Sequence, residues 1–272
     1  MGIVNATPDS FSDGGRYLDP EAGLTHALAL IAAGADILDI GGESSRPGAA
    51  PVTAEAEMAR VVPLISALAA RTSLPLSVDT TKPQVARAAM AAGASLWNDI
   101  TALAAPGAPD LAAELTCDVI LMHMQGEPRT MQAAPRYDDV VGEVCAFLQA
   151  RAQVALAAGV ARPSIWLDPG IGFGKTLDHN LALLSSLDQI VALGFPVLLG
   201  ASRKSFLARL DPAAQDPAQR LGGSLAAALA GATAGVAAVR VHDVAETVQA
   251  LRVWESVGPR PYPAEARRSG PS

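Results

Sequence analysis

Cysteine is scarce in this chain of 272 residues, and so is any excess of positive charge. The two cysteines, Cys117 and Cys145, have no metal-type spacing, which argues against a zinc motif and against a disulfide scaffold. Lys and Arg number 20 against 27 Asp and Glu, so the net charge is −7 and no overall basic field attracts nucleic acid or an anionic membrane. We therefore expect a cytoplasmic protein whose anionic ligands are held by local groups.

Lysine is the rarer of the two basic residues. The chain has only three lysines, Lys82, Lys175 and Lys204, and each follows a predicted strand. A composition that elsewhere prefers arginine keeps lysine where a compact ammonium group is useful. This distribution hints at functional loops after the strands.

Long charge-free runs are also few. Residues 221–239 carry no charge, but the run is mostly alanine and glycine, with glycines at 222, 223, 231 and 235. We interpret it as a buried helix followed by a strand, and not as a membrane span.

One sequence pattern repeats along the chain: an alanine-rich helical run, a glycine, and a short apolar run that ends in a polar residue. The glycines, such as Gly34 and Gly93, suit the left-handed position after a helix. The apolar runs do not alternate, as expected for parallel strands covered on both faces. They predict strands at 1–6, 36–40, 75–79, 95–99, 118–123, 164–168, 196–201 and 236–241.

Helical patterns separate these strands. They are predicted at 20–33, 53–71, 82–92, 108–116, 137–158, 178–193, 203–232 (interrupted around 211–216) and 243–256. Eight such units predict an α/β fold, a single-domain (β/α)8 TIM barrel over residues 1–257 with its active site at the C-terminal ends of the strands. Residues 258–272, rich in Pro, Gly and Arg, are predicted to be a disordered tail.

Polar side chains follow every predicted strand, so in a barrel they meet at one mouth. They are Asn5, Asp39, Asp79, Asn98 with Asp99, His123, Asp168, Ser202 with Arg203 and Lys204, and Arg240 with His242.

The segment 164–176, SIWLDPGIGFGKT, carries the densest signal. Its spacing approaches a Walker A phosphate loop, but that pattern needs glycine where Pro169 stands. A strand that delivers Asp168 into a glycine-rich loop is how an α/β protein presents a reactive or binding group, and the backbone amides of Gly170, Gly172 and Gly174 remain candidates to bind an anion.

Eight motifs, one at each strand end, form a set with a recognisable order. They are MGIVNATPDSFSDGG (1–15), GGESSRPGA (41–49), SVDT (77–80), WNDI (97–100), LMHMQG (121–126), LDPGIGFGK (167–175), SRKSFL (202–207) and RVHDV (240–244). Together they resemble the dihydropteroate synthases, the folate-pathway enzymes that sulfonamides inhibit. The resemblance covers essentially the whole predicted barrel.

The resemblance implies a reaction. The amine of 4-aminobenzoate attacks the methylene carbon of 6-hydroxymethyl-7,8-dihydropterin diphosphate, giving 7,8-dihydropteroate, and diphosphate leaves with Mg²⁺. In this family diphosphate is thought to leave first, and the arylamine then traps a pterin-stabilised cation, so no nucleophilic side chain is needed. The resemblance also implies a homodimer.

The resemblance also implies which residues hold each substrate. The pterin contacts are Asp79, Asn98, Met122, Asp168, Phe173 and Lys204. The diphosphate contacts are Asn5, Ser45, Arg46, Arg240 and His242, of which Asn5 is also the implied Mg²⁺ ligand. The 4-aminobenzoate contacts are Phe11, Pro47 and Ser205. The implied catalytic residues are Asp79, Lys204, Arg240 and His242.

The residue chemistry agrees with these roles. The Asp168 carboxylate accepts two adjacent N–H groups of a pterin edge as a bidentate pair. Arg240 and His242 stand at i and i+2 on one strand, so they share a face towards a polyanion. Ser205 lies at a predicted helix N-terminus, where backbone amides favour a carboxylate.

Two other functions remain open from the sequence. A methyltetrahydrofolate–corrinoid methyltransferase has the same barrel and Asp/Asn pterin pocket but needs no diphosphate site, so Arg240, His242 and the cluster at 202–205 argue against it. A catalytically dead paralogue that only binds pterin would show losses among Asn5, Asp79, Lys204 and His242, and all four are present.

Overall fold

The computed structural model describes residues 1–7, 20–44 and 49–258. Within them, short parallel strands alternate with helices. The strands are β1 (Gly2–Asn5), β2 (Leu38–Gly41), β3 (Leu76–Asp79), β4 (Leu96–Asp99), β5 (Asp118–Met122), β6 (Ile165–Asp168), β7 (Leu198–Leu199) and β8 (Ala238–Val239). Each lies inside or within a residue of its predicted range.

The helices also follow the prediction, with two refinements. They are α1 (Pro20–Ala32), α2 (Ala54–Ala69), α3 (Pro83–Ala91), α4 (Ala108–Leu115), α5 (Val140–Ala157), α6 (Leu177–Ser185), α7 (Leu187–Val191), α8 (Phe206–Leu210), α9 (Leu221–Ala234) and α10 (Val244–Val257). The helix predicted at 178–193 is divided at Ser186, whose φ of −126° and ψ of 27° are not helical. The interruption expected around 211–216 separates α8 from a short 3₁₀ turn and α9.

The strands close into a barrel. β1 to β6 pair in chain order, and β7 pairs with β8, all in parallel. Two bridges join these groups, Leu167 with Val197 and Gly2 with Val241. Backbone bonds support both joints: the Leu167 N–H donates to Pro196 O at 2.9 Å and the Ile3 N–H to Val241 O at 3.1 Å. The predicted (β/α)8 barrel is therefore confirmed.

Glycines end the helices where the sequence predicted them. Gly34, Gly93, Gly194 and Gly235 have φ values of 98°, 112°, 76° and 86°. Only glycine adopts this region without strain, so it turns the chain from helix to strand at low cost.

The interior of the barrel has two layers. The lower layer is apolar, with Met1, Leu96, Ile120 and Leu198 buried together. Ile37, Trp166 and Ala238 complete it. Alternation along the strands then places polar side chains above this layer, at the C-terminal ends. The side chains able to bind a polar ligand are therefore placed at the mouth and not at the floor.

One described helix, α5, is long and apolar enough to cross a membrane by length and composition alone. Its Val144, Leu148 and Ala152 are buried, and the helix contacts β5 and β6. The charge-free run at 221–239 forms α9 and β8, as predicted.

Candidate active site

Arg240 lies at the centre of the polar layer and bridges two carboxylates. Its Nε donates to Asp39 Oδ2 at 2.5 Å and its Nη2 to Asp79 Oδ2 at 2.8 Å. Burial lowers the pKa of Arg240, but Asp39 and Asp79 more than offset this and raise it above its ordinary value. The guanidinium is therefore a permanent positive charge that ties β8 to β2 and β3.

Asp39 is a member of this cluster for which the sequence assigned no role. Its side chain is fully buried, and its Oδ2 also accepts the Asn98 amide at 3.2 Å. The other oxygen, Oδ1, has no hydrogen-bond partner among the described residues. A carboxylate on a buried apolar strand needs a compensating charge. This requirement was the sequence signal that could have predicted an ion pair for Asp39.

Asp79 has an unusual protonation equilibrium. Burial raises its pKa to about 7, with Asp39 adding to the rise and Arg240 opposing it. The side chain is about one-fifth exposed, at 18%, so it still reaches the mouth. A carboxylate with such a pKa is typical of functional clefts.

Asp168 is the last residue of β6, and one of its carboxylate oxygens is already hydrogen-bonded. Its Oδ1 accepts the Gly170 N–H at 2.7 Å. Burial raises the pKa of Asp168, while the Lys204 ammonium and the Gly170 N–H oppose the rise. The carboxylate is 5% exposed and has no direct ion pair among the described residues, which leaves acceptor capacity for a ligand.

Gly200 leaves space beside this carboxylate. A Cβ at Gly200 would lie 3.7 Å from Asp168 Oδ2 and 3.9 Å from both Lys204 Nζ and Arg240 Cβ. The missing side chain therefore leaves room between the Asp168 carboxylate and the Lys204 ammonium, with the Cβ of Arg240 on a third side. Gly41 does the same at β2, where a Cβ would meet Asp79 Cβ at 3.5 Å.

Lys204 closes one side of this space. Its ammonium donates to Ile171 O and lies 4.4 Å from the centre of the Phe173 ring. Burial lowers the pKa of Lys204 to about 8, although Asp168 opposes the shift. At neutral pH the residue is mainly protonated and donates to acceptors within reach.

The loop after β6 has three glycines with positive φ, at 66° for Gly170, 81° for Gly172 and 59° for Gly174. A Cβ would collide with His123 O at Gly170 and with Gln125 O at Gly174. Two of the three glycines are thus required by a close approach to the neighbouring loop. At Gly172 a Cβ would instead meet the flexible side chain of Lys204, 3.0 Å from its Cδ.

Lys175 anchors this loop from within. Its side chain is 1% exposed, and its Nζ contacts Gly170 O at 2.9 Å, Phe173 O at 3.0 Å and His123 Nδ1 at 2.9 Å. Burial, with help from Lys204, lowers the pKa of Lys175 to about 7. Burial and Lys175 lower the pKa of His123 to about 3, so that imidazole is neutral.

We predict a proton linkage from Lys175. Its folded pKa lies below its ordinary value of 10.5, so between about pH 7 and about pH 10.5 the unfolded chain binds a proton that the folded chain has released. Stability should therefore rise with pH through this group, by up to about 1.4 kcal/mol per pH unit.

The measurement is urea unfolding of the wild type and Lys175→Met across this window. The wild-type free energy of unfolding should rise relative to that of the variant, because all other groups titrate in both proteins. Parallel pH profiles would show that Lys175 keeps its ordinary pKa.

The ends of β7 and β8 are joined through Arg203 and His242. Arg203, at a φ of 57°, pairs with Asp243 through Nε at 3.0 Å. Ser202 Oγ lies 3.1 Å from His242 Nδ1. Ser205 precedes α8 as predicted and is exposed, but α8 has only five residues, so its dipole is short.

A second ion-pair cluster supports the loops after β2 and β3. Lys82 pairs with Glu43 and with the fully buried Glu57, the latter at 2.6 Å. The other oxygen of Glu43 accepts the Val52 N–H at 2.9 Å, so this carboxylate holds both ends of the loop after β2. A cavity of about 240 Å³ lies beside the cluster, with Asp79 on its wall.

Comparison with known proteins identifies the family. The family model described as "Pterin binding enzyme" matches residues 1–242. The dihydropteroate synthase of Escherichia coli K12 is 49% identical over 256 residues, which cover 94% of this chain and 90% of that protein. The chain belongs to the dihydropteroate synthase family.

Solved structures of dihydropteroate synthases have the same fold. The Xanthomonas albilineans enzyme with 4-aminobenzoic acid has a TM-score of 0.90 and 52% identity, with 96% of this chain and 93% of that chain covered. The same enzyme in complex with 7,8-dihydropteroate has a TM-score of 0.87 and 50% identity, with 96% and 94% covered. The Yersinia pestis enzyme with a sulfonamide drug complex has a TM-score of 0.89 and 47% identity, with 94% and 93% covered.

The structure brings most of the predicted dihydropteroate synthase residues to one mouth. Asp79, Asn98, Asp168, Lys204 and Arg240 are linked by direct contacts or by the space at Gly200. Three others lie at neighbouring strand ends or loops: Asn5 ends β1, Met122 ends β5 beside Asp168, and Phe173 lies under Lys204. Phe11, Ser45, Arg46, Pro47 and most of the tail, from residue 259, lie outside the described residues.

Proposed function

We propose that this protein is a dihydropteroate synthase, which condenses 6-hydroxymethyl-7,8-dihydropterin diphosphate with 4-aminobenzoate to give 7,8-dihydropteroate and diphosphate. One observation carries the proposal: a buried Asp168 faces an opening that Gly200 leaves between Lys204 and Arg240. An acid beside two bases matches a substrate with a donor edge at one end and a polyanion at the other. The identity of about 50% over nearly the whole chain supports the same activity.

Pterin recognition rests on Asp168, Asn98 and Asp79. The free lone pairs of the Asp168 carboxylate accept the amino group and the adjacent ring N–H. Asn98 supplies a donor and an acceptor to the heterocycle edge. Lys204 donates to the carbonyl side of the ring. Met122 and Phe173 supply the apolar walls.

Diphosphate binds at the opposite side of the same opening. Arg240 Nε and Nη2 are engaged by Asp39 and Asp79, so an anion uses the remaining guanidinium donors. His242 adds a donor from the same strand end. In this proposal Asn5, Ser45 and Arg46 complete the anion site.

Asn5 fits the proposed Mg²⁺ site. Asn5 is the last residue of β1 and carries an amide oxygen, and the described residues contain no cluster of three His, Cys, Asp or Glu that would form a protein cage. Mg²⁺ normally keeps several waters and binds through few protein oxygens together with substrate phosphates. Bound there, the ion would neutralise charge on the diphosphate oxygens.

The reaction exchanges one bond at the methylene carbon. The C–O bond to diphosphate breaks, the diphosphate takes the electron pair, and the arylamine nitrogen forms the new C–N bond and loses a proton. Arg240 and His242 stabilise the charge that develops on the leaving group. Asp79 faces the cationic carbon, while Ser205, Phe11 and Pro47 hold the 4-aminobenzoate.

The alternatives are weaker on the same observations. A corrinoid-dependent methyltransferase has no polyanionic leaving group, yet Arg240, Lys204 and His242 line this mouth. A pterin-binding paralogue without activity would not need the set Asn5, Asp79, Lys204 and His242, all of which are kept.

The deciding experiment is a coupled assay of diphosphate release from the pterin diphosphate with Mg²⁺, with and without 4-aminobenzoate. We expect release that depends on both substrates and a product that is 7,8-dihydropteroate. Chelation should stop release and added Mg²⁺ should restore it. A folded protein that binds pterin but shows no turnover would establish the binding-protein alternative.

We further propose a cytoplasmic homodimer. Both cysteines are free thiols in the structure, which suits a reducing compartment. Size-exclusion chromatography with light scattering measures the oligomeric state.

A further inference from the structure

The main chain of the glycine loop, residues 170–174, is held by side chains at every carbonyl. Lys175 donates to Gly170 O and Phe173 O, at 2.9 and 3.0 Å. Lys204 donates to Ile171 O. Gln132 Nε2 donates to Gly172 O at 2.5 Å, and Tyr137 Oη donates to Gly174 O at 2.8 Å. Five successive acceptors are thus satisfied by side chains.

Two of these donors come from the segment between β5 and α5, which has no assigned role in the reaction. Gln132 and Tyr137 lie 40 and 37 residues before their acceptors. That segment is closed on itself, since Gln125 bonds both the carbonyl and the N–H of Arg136, at 2.7 and 2.8 Å. Gln132 and Tyr137 therefore lie on a segment whose own conformation is restrained by hydrogen bonds.

Such support matters because glycines give the loop many conformations when it is not restrained. Fixing the backbone of each residue costs about 1–2 kcal/mol of conformational entropy, and glycine loses more than other residues. Phe173 lies within the loop, and Asp168 precedes it and accepts the Gly170 N–H, so the shape of the loop affects the positions of both side chains. Hydrogen bonds present before ligand binding remove this ordering cost from the binding step.

We propose that Gln132 and Tyr137 are positioning residues for the pterin: by holding Gly172 O and Gly174 O, they preorganise the loop that presents Asp168 and Phe173 to the ring. This inference rests on the proposed pterin site. The two residues touch neither diphosphate nor 4-aminobenzoate in this proposal, so their effect is specific to one substrate.

Tyr137→Phe isolates the proposed bond. The ring stays in contact with His179 at 4.8 Å and with His123 at 6.0 Å between centroids, so only the hydroxyl is lost. Gln132→Leu removes the second donor with a side chain of similar size. Thr247→Val is the matched control. It removes a buried hydroxyl on α10 that donates to a backbone carbonyl, Asp243 O, at 2.7 Å.

The experiment measures KM for each substrate, kcat, and the Kd of 6-hydroxymethylpterin by fluorescence. For each loop variant we expect the pterin diphosphate KM and the 6-hydroxymethylpterin Kd to rise about fivefold, the worth of one neutral hydrogen bond. The double variant should show a larger rise. The KM for 4-aminobenzoate should stay at the wild-type value, and Thr247→Val should change none of these constants.

Two results would overturn the inference: an unchanged Kd for 6-hydroxymethylpterin in the double variant, or equal increases in both substrates' KM values. If the wild type bound pterin but released no diphosphate, the proposed function would fail while the Kd comparison still tested the positioning role.

Discussion

Asp168→Asn should lower kcat/KM for the pterin diphosphate by about a thousandfold while leaving the fold intact. The substitution replaces one acceptor oxygen by an NH2 group that faces the donor edge of the pterin. Two charge-assisted hydrogen bonds are weakened or lost, at about 1.5–3 kcal/mol each, and about 4 kcal/mol corresponds to a thousandfold change. The Gly170 N–H, 2.7 Å from Oδ1, keeps an acceptor, because the amide oxygen can take that position.

The matched control is Asp118→Asn. Asp118 is the first residue of β5 and half-buried, so it lies at the opposite end of the barrel strands from the mouth. Steady-state kinetics should show wild-type values for this variant. Wild-type pterin KM and kcat in Asp168→Asn would remove Asp168 from the recognition of the pterin.

Arg240→Met should be the most destabilising of these substitutions. It leaves the fully buried Asp39 carboxylate without its counter-charge, and removal of one partner of a buried ion pair costs about 3–5 kcal/mol. It also deletes the proposed diphosphate anchor, so kcat should fall with stability. Denaturant unfolding and the diphosphate assay measure the two effects separately.

A second substitution separates charge balance from catalysis. Arg240→Met combined with Asp39→Asn removes both charges of the pair, so we expect part of the lost stability to return while activity does not. Arg240→Lys keeps the positive charge but not the planar set of guanidinium donors, and it should keep more stability than Arg240→Met. A double variant no more stable than Arg240→Met would show that the Asp39–Arg240 pair does not account for the loss.

The fold was largely predictable because its signals are local. A short apolar run such as residues 36–40, preceded by an alanine-rich helix and Gly34, predicts a buried parallel strand from a few residues. The polar residue that ends each run predicts the mouth, since parallel strands in a barrel share one direction. The order of the eight motifs along the chain then indicated the family, and the family resemblance assigned Asp168 and Lys204 to the same substrate, the pterin.

The contacts that complete the site join residues far apart in the sequence, and sequence patterns did not predict them. Asp39 and Arg240 are 201 residues apart, and Gln132 reaches Gly172 across 40. Neither pair has a spacing or periodicity that marks it. The roles of Phe11, Ser45, Arg46 and Pro47 stay predictions from the family resemblance.

The glycine loop has a consequence for how this pocket tolerates change. Its donors bind carbonyl oxygens, a group that every amino acid supplies, so these hydrogen bonds do not by themselves select the side chains at 171 and 173. Those side chains make other contacts, because Ile171 is fully buried in the core and the Phe173 ring lies 4.4 Å from the Lys204 ammonium. A substitution at residue 173 would therefore keep the Lys175 hydrogen bond to its carbonyl but remove the ring that lies beside Lys204. Gly170 and Gly174 have no such latitude, because any side chain there would strike the neighbouring main chain.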